Sequence, residues 1–289
     1  MKDTTGTVGI VGLGLIGGSL AKAYKKAGFS VLGYDRDGKI QSYARLAGVT
    51  DQILDATNVG QCDLVFLALY PADVIAYVQR YRKLFKKGSF VIDCCGVKKA
   101  VCDSCFPVAK EEGFIFVGGH PMAGSEKSGF KASRSDLFQG ASMVVVPPVF
   151  DDIRLLAQIK GRLRPLGFSR IKVTHAETHD RMIAYTSQLS HIASNAFIKS
   201  PSAFNEEGFS GGSFRDLTRI AYLNEKMWAE LFLFNKDALL EELDLFLGSL
   251  EEYRRAIAED DRQTLEKLLR DGRERKERLE QSAKGKKTE

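Results

Sequence analysis

The first 175 residues alternate short apolar runs with stretches of helical period, and the remainder shows helical period alone. Val8 to Val11, Val31 to Tyr34, Leu64 to Leu69, Ser89 to Asp93 and Phe114 to Val117 are largely continuous apolar runs bounded by glycine, proline or charge. That is the pattern of strands covered on both faces. Between them, apolar positions recur every three to four residues through Lys26, from Lys39 to Ala47, from Ala72 to Phe85 and from Val97 to Glu112. Strand and helix in this rhythm predict a doubly wound parallel sheet, continued by strands at Ser142 to Val146 and Arg170 to Val173 with a helix from Asp151 to Leu163 between them. From Glu177 onward there is no strand signal, only long helical periods interrupted by the loop Gly208 to Ser213. The expected fold class is therefore α/β, a Rossmann-type doubly wound sheet over residues 1–175 followed by an all-α domain over 176–289.

Candidate chemistry sits at the ends of the predicted strands. The first opens into Gly12-Leu13-Gly14-Leu15-Ile16-Gly17, a G-x-G-x-x-G with a strand before it and a helix after it. The first glycine permits the turn, the second lets a pyrophosphate reach the backbone, and the third lets helix and strand pack closely. The second strand ends in Asp35, at the distance where an acid accepts hydrogen bonds from an adenine-ribose diol. A carboxylate there repels the extra phosphate of NADP, so NAD is the expected cofactor. Arg36 beside it offsets part of that repulsion and leaves NADP open, or is a solvated surface residue. Leu69, Tyr70 and Pro71, at the end of the Leu64 strand, fall on the same cofactor edge.

The stretch after Phe114 to Val117 reads Gly118-Gly119-His120-Pro121-Met122-Ala123-Gly124-Ser125-Glu126-Lys127-Ser128. His120 is expected where a strand ends and a loop begins, the position at which open α/β sheets bind ligands. Its ordinary pKa near neutrality suits a general base, although a histidine merely capping a strand is the alternative. In the helical half, Ser187 and His191 are four apart and share a face, as do Arg215 and Arg219. Paired guanidinium groups after a glycine-rich loop point to an anionic substrate, against ordinary surface charge.

Composition narrows the partners. The chain has 289 residues, 44% hydrophobic and 27% charged, with a formal net charge of +5. From Arg270 to Glu289 eight Lys/Arg face five Asp/Glu, so most of the excess lies in the tail and the body offers no nucleic-acid surface. No apolar run approaches membrane-spanning length, and the N-terminus shows no signal-peptide pattern, so no membrane is expected as a partner and the cytoplasm is the expected compartment. Five cysteines make an odd count for a disulfide framework. Cys102 and Cys105 form a C-x-x-C on a predicted helix face, where packing is favoured over metal or redox chemistry, and no metal site is expected.

Taken together, GLGLIGGSLA, GYDRD, GGHPMAGSEKSGF, HDRMIAYTSQLSH and FRDLTRIA ending at Trp228 resemble the prephenate and arogenate dehydrogenases of tyrosine biosynthesis. The histidine loop and the TRIA run are the specific parts; the dinucleotide motif is shared by many unrelated enzymes. The resemblance implies oxidative decarboxylation of prephenate to 4-hydroxyphenylpyruvate with hydride transfer to NAD, or the corresponding reaction of arogenate. It implies that His120 assists loss of the 4-hydroxyl proton and that Arg219 binds the ring carboxylate. It also places Ser125, Glu126, Ser187, His191 and Arg215 at the substrate, and a homodimer interface in the helical domain. Many relatives carry a serine supporting the histidine in a D-x-x-S-V-K stretch, where this chain has Gly96, and Gln188 stands where some have histidine. No regulatory domain is expected after the charged helix Leu265 to Leu279. A β-hydroxy acid dehydrogenase and a non-catalytic NAD sensor are the rival readings.

Overall fold

The computed structural model describes residues 6–125 and 127–285, with side chains to Ser282. Strands β1 (Thr7–Val11), β2 (Ser30–Tyr34), β3 (Gln52–Ile53), β4 (Leu64–Leu67), β5 (Phe90–Asp93), β6 (Ile115–Pro121), β7 (Ser142–Val146) and β8 (Arg170–Val173) form one sheet in the order β3-β2-β1-β4-β5-β6-β7-β8. The first six run parallel. Their order reverses between β1 and β4, which is the switch point where a doubly wound sheet opens a crevice.

Alternate residues of each strand feed two cores. Ile10, Phe66, Ile92 and Val117 pack with Leu20 and Tyr24 of α1 (Leu15–Lys26) and with Leu155 and Ile159 of α5 (Ile153–Leu163). Val11, Val65, Val91 and Phe116 pack on the opposite face with Val74 and Val78 of α3 (Pro71–Tyr81) and Val101 and Cys105 of α4 (Lys99–Glu112). A period of two in the strands and an apolar stripe on each helix account for the arrangement. The short helix α2 (Gly38–Leu46) follows β2 and is capped by Asp37, whose side chain accepts from the Lys39 N–H.

The structure departs from the sequence expectation in three places. First, β7 runs antiparallel to β6. Strand β6 thereby gains a partner beyond Val117 and continues through His120 to Pro121, so the histidine lies in a paired strand rather than at the start of a loop. Gly118 and Gly119 allow this, because a Cβ on Gly119 would overlap the Asp93 carbonyl and one on Gly118 would crowd the Cys102 thiol at 2.7 Å. Second, β3 is a two-residue strand pairing with Leu32 and Gly33, too short to leave an apolar period. Third, the long helical periods expected after Glu177 are broken at Asn235, which separates α9 (Glu225–Phe234) from α10 (Lys236–Ala258).

Asn235 leaves the helix because its side chain is in use. Its amide nitrogen donates to the Asp180 carbonyl at 2.8 Å and to Oε1 of Gln188 at 2.7 Å. The donors and acceptors are buried, with Asn235 5% and Gln188 1% exposed. Replacing Asn235 by Ala is expected to destabilise the protein by about 1–3 kcal/mol, the cost of stranding a buried acceptor. A lower urea midpoint at unchanged m-value is the expected reading.

After β8 the chain is helical: α6 (Ala176–Ile183), a π-helical segment Ala184–Leu189, α7 (Ser190–Phe197), α8 (Gly212–Thr218), α9, α10 and α11 (Arg262–Gly285). The chain divides into two compact units between Lys236 and Asp237. The first holds the sheet and every residue of the site described below. In the second, α11 is laced by i,i+4 pairs such as Arg262–Glu266 and Arg275–Asp271, which suit a solvated helix. No helix among the described residues is long and apolar enough to cross a membrane.

Candidate active site

The turn between β1 and α1 is built for backbone contact. Gly12 adopts φ +87°, and a Cβ there would collide with the Ala68 carbonyl. A Cβ on Gly17 would overlap the Gly12 carbonyl, whereas one on Gly14 would meet nothing within 4 Å. Open space therefore lies at the helix N-terminus, where Gly14 supplies no side-chain cap. The first-turn N–H groups of Leu15, Ile16 and Gly17 have no intrahelical acceptor and face that space.

Asp35, at the end of β2, closes the same turn. Its Oδ2 accepts from the Leu13 N–H at 2.7 Å and its Oδ1 from the Asp37 N–H at 3.0 Å. Each oxygen retains capacity for a ribose hydroxyl. Arg36 is exposed beside it. Beyond β4, Leu69 is partly buried, Tyr70 is exposed and Pro71 begins α3. The residues present fit a dinucleotide.

His120 stands two strands along the same sheet edge. Met122 N–H donates to the Ser142 carbonyl at 2.9 Å, so in the antiparallel alternation His120 opposite Val144 is also a hydrogen-bonded pair. The intervening positions turn the other way. The Gly119 N–H accordingly reaches Oδ1 of Asp93 at 3.0 Å, and Pro121, lacking an N–H, forfeits no bond to β7.

The ring of His120 is held by a second histidine. Nδ1 of His120 lies 2.9 Å from Nε2 of His179, and Nδ1 of His179 lies 2.7 Å from Oδ1 of Asp180. Asp180 is itself fixed by the Lys98 N–H at 2.7 Å and the Lys99 N–H at 2.8 Å. A carboxylate accepts, so His179 carries its proton on Nδ1 and presents a bare Nε2. His120 must then donate from Nδ1, which leaves its Nε2 as an unprotonated acceptor. Below this chain lies a fully buried ion pair, Lys98 with Asp93, whose Oδ2 also accepts from the Cys95 N–H at 2.9 Å. Burial opposes the Lys98 charge, but Asp93 together with Cys95 and Cys102 outweighs it and the ammonium pKa is raised.

These surroundings keep both imidazoles neutral. Burial, then His179, then Lys98 push His120 well below its ordinary range. Burial also lowers His179, against the raising effect of Asp180. Gly96 supplies no hydroxyl, and a Cβ there would meet Leu231 at 3.3 Å. His179 bonds His120 directly, where the family resemblance led one to expect support from a serine.

Helix α9 clamps the helical half to this edge. Glu230 accepts from the Ala72 N–H at 2.9 Å at the start of α3, and the Leu231 carbonyl accepts from Nε2 of Gln188 at 3.1 Å. Both ends of the Gln188 amide are thus bonded within the protein, so it serves as a buried tie rather than reading a substrate side chain. The π-helical segment carries Ser187, whose carbonyl accepts from Nδ1 of His191 at 2.8 Å. The His191 ring lies 4.0 Å from that of Trp228. Ser194 Oγ donates to the Leu217 carbonyl at 2.7 Å and Asn195 to that of Ala221 at 3.0 Å, which pins α8 and the residues after it to α7.

Arg215 and Arg219 are one turn apart and exposed, and among the described residues neither is paired with a carboxylate. Ser125 is exposed, with its hydroxyl accepting from the Lys127 N–H at 3.1 Å, and among the described residues it makes no hydrogen bond to His120. Glu126 lies outside the described residues. Burial pushes the Cys105 thiol up to about 12 and Cys102 higher still, so neither is a thiolate at neutral pH. No group of three or more potential metal ligands converges among the described residues.

A family model described as the prephenate dehydrogenase nucleotide-binding domain matches residues 20–172, and one described as the prephenate dehydrogenase dimerization domain matches 175–271. The chain belongs to the prephenate dehydrogenase family. A cyclohexadienyl dehydrogenase of Zymomonas mobilis is 32% identical, with 88% of this chain and 89% of that protein covered. A prephenate dehydrogenase of Lactococcus lactis is 29% identical over 94% of this chain and 77% of its own. Among solved structures, prephenate dehydrogenase from A. aeolicus in complex with hydroxyphenyl propionate and NAD+ superposes with a TM-score of 0.81 at 27% identity, covering 94% of this chain and 98% of that one. The nucleotide-binding model begins inside α1, so the glycine turn at 12–17 stands on its geometry.

Proposed function

We propose that the chain catalyses the NAD-dependent oxidative decarboxylation of prephenate to 4-hydroxyphenylpyruvate. The observation that carries this reading is the bare Nε2 of His120, fixed in a paired strand at the edge that also holds the glycine turn and Asp35. When bound, NAD supplies the hydride acceptor. The turn at Gly12, Gly14, Leu15, Ile16 and Gly17 binds the pyrophosphate, Asp35 the ribose, and Leu69, Tyr70 and Pro71 line the crevice, with Arg36 outside it.

At the reacting carbon the C4–H bond breaks with its electron pair leaving as hydride, while the 4-hydroxyl proton goes to Nε2 of His120. The bond to the ring carboxylate then breaks, its electrons enter the ring and reach the C4 oxygen, which takes back the proton from His120 as the phenol, and carbon dioxide departs. His120 aids the first event because hydride loss is easier as the oxygen gains negative charge. Arg219 binds the ring carboxylate, Arg215, Ser187 and His191 line the rest of the pocket, Ser125 lies at its mouth, and the family resemblance assigns Glu126, outside the described residues, to the substrate as well. Residues 1–175 serve the nucleotide, and residues 176–289 serve substrate and dimer. In the helical half Phe204, Phe209, Tyr222 and Leu233 are exposed, apolar surface suited to a second copy.

The test is NADH formation with prephenate and with arogenate in parallel, repeated with NADP. Turnover of prephenate supports the reading; turnover of arogenate alone would keep the mechanism and change the substrate. Asp35→Asn is expected to weaken NAD by about tenfold or more, through loss of charged hydrogen bonds, and to raise NADP use relative to NAD. An unchanged preference would take Asp35 out of the ribose site.

A further inference from the structure

We propose that His179, backed by Asp180, is a second proton station: as Nε2 of His120 takes the substrate hydroxyl proton, the Nδ1 proton of His120 passes to Nε2 of His179, and the positive charge comes to rest beside the Asp180 carboxylate. The inference rests on the reading of His120 as the base.

The geometry provides a continuous line of three groups, with separations of 2.9 Å and 2.7 Å. The end of that line is anchored, since Asp180 accepts two backbone N–H groups from Lys98 and Lys99. His179 and Asp180 are 3% and 4% exposed, so water is not the competing acceptor.

Energetics favour movement along the line. In a histidine–carboxylate pair the proton stays on the ring, because the ordinary values of about 6.5 and about 3.9 differ too widely for transfer. Between two imidazoles that difference vanishes, and surroundings decide. The groups facing them are Asp93 at the end of β5, Lys98 at the N-cap of α4, and Asp180 from α6. The Lys98 ammonium disfavours a cation on either ring, whereas Asp180 touches only His179. A positive charge is therefore better placed on His179 than on His120. His179 does not reach the substrate; it is a positioning residue that also carries charge.

The substitution His179→Gln separates this from a purely structural role. The glutamine carbonyl can still accept from His120, preserving the tautomer, but cannot take the proton. Single-turnover hydride transfer in H2O/D2O mixtures is expected to give a curved proton inventory for the unmodified enzyme and a linear one for the variant, with the rate lowered about tenfold or more. NAD affinity is expected to stay unchanged. A variant at the unmodified rate, or one retaining the curved inventory, would overturn the proposal.

Should the variant fold poorly, the imidazole 15N spectrum of the unmodified enzyme decides. Nδ1–H on both rings is expected, and a proton on Nε2 of His120 overturns the line. An enzyme turning over neither prephenate nor arogenate would sink the functional reading instead, and the 15N assignment would still judge the hydrogen-bond line.

Discussion

Replacing His120 by Asn is expected to lower the rate of hydride transfer about a thousandfold while leaving NAD affinity near that of the unmodified enzyme. General bases contribute about 10²–10⁴ in rate, and asparagine can hold the bond to His179 without accepting the substrate proton. The nucleotide cradle is carried by β1, β2 and β4, so it is untouched by the change. Stopped-flow NADH absorbance and cofactor fluorescence titration measure the two quantities separately. A near-normal rate would remove His120 from the base role.

The same residue is expected to set the acid side of the pH profile. Its active form is neutral and its pKa is pushed well below the usual range, so kcat/KM should hold steady as pH falls through about 6.5 and decline only below it. Stability carries the opposite burden. The folded values of His120 and His179 are depressed, so the unfolded chain takes up these protons first. Stability is fully present above the unfolded value of about 6.5 and is lost as pH falls toward the folded values.

Replacing Arg219 by Gln is expected to raise KM for the substrate by about 10- to 100-fold with a much smaller change in kcat. A charged hydrogen bond contributes about 1.5–3 kcal/mol, and each 1.4 kcal/mol or so is tenfold in affinity. Arg219 is exposed and caps α8, so its loss should barely move the unfolding midpoint. Arg219→Lys is expected to recover only part of the affinity, because an ammonium lacks the planar two-pronged fork. Unchanged substrate affinity in the Gln variant would place the carboxylate anchor elsewhere, with Arg215 the next to vary.

Local signals carried the nucleotide half of the molecule into the sequence. The glycine turn, Asp35 and the alternation through β5 depend on contacts between neighbours in the chain, and residue types there follow from backbone geometry. The direction of β7 did not show, because a strand has the same period whichever way it runs. His120 was accordingly expected one step outside the sheet. The break at Asn235 was hidden for a similar reason: its cause is an amide bonded to Asp180 and Gln188, far away in sequence.

His179 and Asp180 did leave a trace. Ala176, His179, Asp180, Ile183 and Ala184 fall on one helical stripe, and all five are buried. Two polar residues on an apolar face need partners, and that is the signal that points to the pair. Gln188 illustrates the limit. Its side chain is tied to Leu231 and Asn235, partners far away in sequence that no local pattern names.

The pairing of β6 with β7 has a kinetic consequence for the base. A residue on a loop must be immobilised anew in each catalytic cycle, whereas the backbone of His120 is locked to Val144 when the sheet forms. Its amide should therefore exchange with solvent as slowly as those of the central strands, and binding of cofactor or substrate should leave that exchange unchanged. His120 is set at its post during folding, before any ligand arrives.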